Sequence, residues 1–150
     1  MSEGSLCDPE DITEHTITFL NIDIGEERVS RISITYLGGN PDYRINVEIP
    51  DLLHQSFEAN DVFECLIKLR RLIEPMGWRV LCNGARKDAY PSGMARDMGG
   101  GFGLYVLVLG RHALTKHLIS TFDPCAAHQV GTIEEQKAFF RRWVRSPKPR

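Results

Sequence analysis

Polar and apolar residues alternate most cleanly at residues 43–49, where Tyr43, Ile45, Val47 and Ile49 are interleaved with Arg44, Asn46 and Glu48. That period of two marks a half-buried strand. Residues 28–37 repeat the pattern, with Ile32, Ile34 and Tyr36 on one side and Ser33 and Thr35 on the other. Residues 16–24 (TITFLNIDI) are β-branched and apolar, and the phase changes between Phe19 and Leu20, which reads as a bulge. Gly25-Glu26-Glu27 and Gly38-Gly39-Asn40-Pro41-Asp42 turn the chain between these runs. Three strands with short turns predict an antiparallel meander with one wet face.

The period then lengthens. Val62, Leu66, Leu69, Ile73 and Met76 form a helical stripe, opened by Asp61 with Glu64 as a capping pair and closed by Pro75-Met76-Gly77. Residues 78–82 read as a strand. Residues 102–109 read as a second one, apolar on both sides and therefore central in its sheet. A second helix covers residues 132–145, with Thr132 and Glu135 as a capping box and Ile133, Gln136, Phe140, Trp143 and Val144 on one side. Residues 111–125 suit either a short helix or an edge strand. The expected fold is α+β: a mainly antiparallel sheet of about five strands, with two helices packed on one face. It is a single domain over residues 15–146, between a flexible N-terminal tail (1–14) and a basic tail (147–150).

Composition narrows the setting. No apolar run approaches the ~20 residues of a membrane span, and the acidic N-terminus lacks the apolar stretch of a signal peptide. Four scattered cysteines (Cys7, Cys65, Cys82, Cys125) make no Cys-x-x-Cys pair, which points to reduced thiols and the cytoplasm. The net charge of −2 hides a split. Residues 1–65 hold 14 acids and 3 arginines, whereas residues 66–150 hold 6 acids and 15 Lys and Arg. Either the two halves neutralise one another in the fold, or an acidic face survives and attracts a basic partner.

Most candidate chemistry is outweighed by simpler readings. Gly99-Gly100-Gly101-Phe102-Gly103 leads into a strand rather than a helix, so it lacks the context of a phosphate cradle. Ser92 stands outside any nucleophile elbow, and Cys82 at a strand end reads as a small buried hydrophobe. His112, His117, Cys125 and His128 are too irregularly spaced for structural zinc. Arg70, Arg71, Arg141, Arg142 and Arg145 read as solvated helix faces, without the interleaved aromatics of a nucleic-acid platform. The long segment 83–101 stands out. Arg86, Asp88, Tyr90, Met94, Arg96, Asp97 and Met98 are interface-type or charged residues on a loop. They either present a binding surface or, for Tyr90, Met94 and Met98, fold back as a lid on the core.

Residues 63–101, Tyr105, Phe122-Asp123 and residues 131–146 resemble small bacterial immunity proteins associated with Rhs-type polymorphic toxins, with NGxRxxxxPSGMxRxMGGG as the distinctive motif. The resemblance implies a protein that binds a cognate toxin domain and blocks its active site. No catalytic residue, cofactor, metal, nucleic acid or membrane is then needed. An acidic surface would suit a basic toxin cleft, which brings Glu26, Glu27, Asp42, Glu48 and Asp51 into the expected contact set. The competing expectation is a small enzyme or ligand-binding domain built on the 84–101 loop, with Cys82, Arg86, Ser92 or Arg96 in a pocket.

Overall fold

The computed structural model describes residues 12–150. Residues 1–11 of the expected tail lie outside the described residues, while positions 12–14 already belong to a strand. Four strands form a meander: β1 (Ile12–Asn21), β2 (Glu27–Tyr36), β3 (Tyr43–Ile49) and β4 (Leu53–Ala59). A short fifth strand, β5 (Trp78–Val80), joins the far side of β1, so the antiparallel sheet runs β4-β3-β2-β1-β5. Ile17, Phe19, Ile32, Ile34, Ile45, Val47, Ile49, Phe57 and Val80 point to one face and are buried there. The opposite face carries Thr16, Thr18, Ser33, Thr35, Arg44 and Asn46. Burial on one face and water on the other is what the alternation requires.

Two strand expectations change. The β1–β2 pairing is unbroken from Ile12↔Thr35 to Leu20↔Glu27, so there is no bulge at Phe19 and Leu20. Phe19 enters the core and Leu20 simply takes the other face. The meander also gains β4, whose sequence LHQSFEA buries only Phe57 and Ala59.

Helix α1 (Val62–Ile73) lies across the buried face of the sheet. Asp61 caps it by accepting from the Glu64 N–H at 2.7 Å. Only half of a capping box forms, because the Glu64 carboxylate turns to Arg96 instead. Val62, Cys65, Leu66, Leu69 and Ile73 pack on the sheet, and Phe63 and Ile67 point the other way. There they meet a second layer: a small sheet of β6 (Ala89–Tyr90), β7 (Gly103–Val106) and β8 (Leu118–Ser120), with helix α3 (Ile133–Arg145) beside it. A helix covered on both sides is apolar beyond one stripe. The strand expected at residues 102–109 is central as read, but in this small sheet, and Val108 and Leu109 fall outside it and are exposed. Residues 111–125 resolve into a 3-10 turn followed by β8.

One cluster of polar side chains ties the layers together. Arg70 is fully buried, not on a solvated face. Its guanidinium meets the Glu74 carboxylate at 2.8 Å and donates to Gln136 Oε1 at 2.6 Å and to the Gly131 carbonyl at 3.0 Å. Glu74 also accepts from the Ile133 N–H at 3.0 Å, at the first turn of α3. The Gln136 amide nitrogen sits within 3.0 Å of the carbonyls of Gly84, Arg86 and Ala89. Burying a cation is tolerable only when its charge and donors are answered, as here.

Candidate protein-binding surface

Segment 83–101 is a built structure rather than a loose loop. It contains a 3-10 turn, β6 and a five-residue helix, α2 (Gly93–Asp97). Ser92 caps α2, its Oγ accepting from the Ala95 N–H at 2.9 Å, so this hydroxyl is a structural acceptor. Arg96 reaches back to α1, with Nε 3.0 Å from Asp61 and Nη2 3.1 Å from Glu64. Burial works against the Arg96 cation, but the hydrogen bonds and charges of Asp61 and Glu64 outweigh it and raise its pKa. The glycines complete the clamp. The Gly100 carbonyl accepts from the Val62 N–H at 2.8 Å, and Gly101 has φ +79°, where a Cβ would stand 2.9 Å from the Phe63 nitrogen. Two of the free N–H groups at the start of α1, those of Val62 and Glu64, are thus taken up by the protein's own Gly100 and Asp61.

That clamp fixes what α2 shows to solvent. Met94 and Met98, one helical turn apart, are 72% and 81% exposed. Beside them Tyr105, Gly103 and a half-exposed Leu118 line a shallow apolar hollow of about 390 Å³. On the other flank Asp97 borders a wide groove of about 1140 Å³ between α2, the β2–β3 turn and the end of β4. Glu58, Asp61, Glu64 and Asp97 outnumber Lys68 and Arg96 along it, and Asp42 closes one side. An apolar patch with an acidic flank is therefore held on a rigid support.

The expected contact residues separate into four places. Met94, Arg96, Asp97, Met98 and Asp42 converge on this surface. Arg86 and Asp88 form a two-pronged ion pair, both contacts 2.9 Å, on the α3 side. Tyr90 is half-buried against the second core, stacked on Phe140 at 4.2 Å and edge-on to Phe63 at 5.3 Å, so it folds back as the lid reading has it, whereas Met94 and Met98 do not. Glu26, Glu27, Glu48 and Asp51 gather at the opposite end of the sheet, where Arg28 bridges Glu26 and the Pro50 carbonyl. Tyr105, Leu118, Glu58 and Asp61 were not expected as surface formers. Leu118 lay in a segment without a clear period, and Asp61 was legible only as a cap.

The nucleophile candidates are quiet. Cys82 is sealed, and burial pushes its thiol up to about 12, while Cys65 is likewise raised to about 12 and Cys125 to about 11. Among the described residues no three His, Cys, Asp or Glu side chains gather as metal ligands. Among the same residues no helix is long and apolar enough to cross a membrane. No family model matches the chain, and no curated protein shows significant similarity to it.

Proposed function

We propose that the chain is a cytoplasmic immunity protein that binds a cognate polymorphic-toxin domain and blocks its active site. The observation that carries this reading is the pair of exposed methionines on a helix too short to stand alone, clamped to α1 by Arg96 and flanked by acids. Methionine adapts to a partner's relief, and a pre-formed support lowers the entropy lost on binding. The acidic groove attracts a basic cleft and sets its orientation. The resemblance in residues 60–146 supports the same reading, and neutralisation by covering requires no reacting side chain.

Co-expression with the toxic domain encoded beside this gene is expected to restore growth and to give a stable one-to-one complex. Met94→Asp with Met98→Asp is expected to weaken binding by about 2 kcal/mol or more, the scale of an interface hot spot, with the melting temperature unchanged. Absence of both rescue and complex sinks the proposal.

A further inference from the structure

The five-stranded sheet ends in an edge that is open among the described residues. The Leu37 N–H donates to the Asp42 carbonyl at 2.6 Å, in register with the β2–β3 ladder. Narrow and wide pairs alternate from there, so the backbone of Arg44, Asn46 and Glu48 faces β2, and that of Ile45, Val47 and Ile49 faces β4. On β4 the same alternation turns Gln55 and Phe57 toward β3. It leaves the N–H and C=O groups of His54, Ser56 and Glu58 pointing outward. Lys68 Nζ reaches the Glu58 carbonyl from outside at 2.6 Å, which agrees with that direction and covers one acceptor that an incoming strand must take over. Seven residues long, β4 contains no proline, lysine or bulge, the usual devices that blunt an edge.

We infer that β4 pairs with β4 of a second copy of this chain, antiparallel about a two-fold axis at Ser56, joining the two sheets into one of ten strands. Three features select that occupant and register. Centring on Ser56 overlaps the whole strand. It sets outward-facing residues against outward-facing residues, Ser56 opposite Ser56 and His54 opposite Glu58, as a narrow antiparallel pair requires. It also places an imidazole beside a carboxylate on both sides of the axis, a cross-strand pairing of complementary groups that a shift of the axis by one residue loses. Glu58 lies 2.7 Å from Arg44 of β3, on the inner side of β4, so in the dimer its carboxylate bridges Arg44 and the incoming His54. Self-complementarity of this kind is what an isologous interface needs.

The paired strand would cover the Ser56 and Glu58 wall of the acidic groove but not Met94 and Met98, so self-association is measured on the purified chain without a partner. Sedimentation of the purified chain is expected to show twice the monomer mass, dissociating on dilution. Ser56→Pro removes an outward N–H that no intramolecular ladder uses, and should give a folded monomer. His54→Glu should weaken the dimer at least tenfold by setting acid against acid. Adding Glu58→Lys to His54→Glu should restore it, which loss of folding could not mimic. Under mild oxidation Ser56→Cys should trap a reducible dimer that the wild type does not form. A chain that is monomeric at every concentration overturns the inference. So does a dimer that Ser56→Pro and His54→Glu leave intact, or an edge that pairs only with a strand of the toxin.

Discussion

Arg70 is the residue on which the two layers turn, and the one most easily misread. Charged residues are almost never fully buried without partners, so an arginine beside Arg71 in a helix reads as solvent-facing. A stripe drawn for a helix with one covered side cannot reveal that α1 is covered on two. Only Gln136, a polar residue on the apolar side of the second helix, hinted at a buried partner. Arg70→Ala strands Glu74 and Gln136, and is expected to cost about 3–5 kcal/mol, the scale of a broken buried pair; denaturant titration measures it. Arg70→Met, which replaces the stem but not the charge, should cost as much only if Glu74 stays ionised. The thiols allow a pH test. Cys65 and Cys82 are held protonated to about 12 in the folded chain, against an ordinary value of 9.0. Between those values the unfolded chain loses its thiol protons first, so stability is intact below pH 9 and falls as pH rises toward 12. A Cys65→Ala, Cys82→Ala variant should show a shallower alkaline fall in melting temperature, and an identical slope would contradict the assignment.

At the level of elements, α2 is made by its neighbours. Five residues cannot hold a helix in water. Ser92, the ion pairs of Arg96 and the close approach of Gly100 and Gly101 hold it on α1. Gly101→Ala puts a methyl against the α1 backbone at positive φ and should lower stability by more than ~1 kcal/mol. Arg96→Ala exposes α2 to motion while leaving both cores filled. It should weaken binding of the proposed toxin partner at least tenfold, seen by calorimetry, with a smaller loss of global stability from leaving Asp61 without its cation. Equal loss of stability and binding would mean that Arg96 serves the fold alone. Such a clamp was partly legible. The Gly run reads as a turn, but in the sequence Ser92 reads only as a nucleophile candidate and residues 93–97 as loop, because five residues show no helical period and the clamp depends on which helix N-terminus the glycines meet. Strands β1 to β3 and helices α1 and α3 were legible because each covers enough turns or alternations to show its period. β4 was not, because an edge strand buries only two of its seven residues, and β6 and β8 are too short to have a period.

Across the whole molecule, the split of charge along the sequence becomes a split between layers. Residues 12–65, which build the meander and the start of α1, carry ten acids and three arginines, and the chain beyond supplies most of the basic residues. The acids do not form one face. Glu26, Glu27, Glu48 and Asp51 sit at one end of the sheet, and Asp42, Glu58 and Asp97 at the other, next to Met94 and Met98. Long-range attraction draws on both ends, whereas contact energy draws only on the end that touches the partner. The two contributions therefore separate in kinetics. Neutralising Asp42 and Asp97 to Asn should slow association, flatten its dependence on salt and speed dissociation. Neutralising Glu26, Glu27 and Asp51 should slow association modestly and leave dissociation unchanged, because exposed charges beyond a Debye length of about 8 Å at physiological ionic strength are largely screened. Surface plasmon resonance at several salt concentrations reads both rates. If the Glu26 set changed dissociation and the Asp42 set did not, the partner would lie at the other end of the sheet, and the methionines would need a different role.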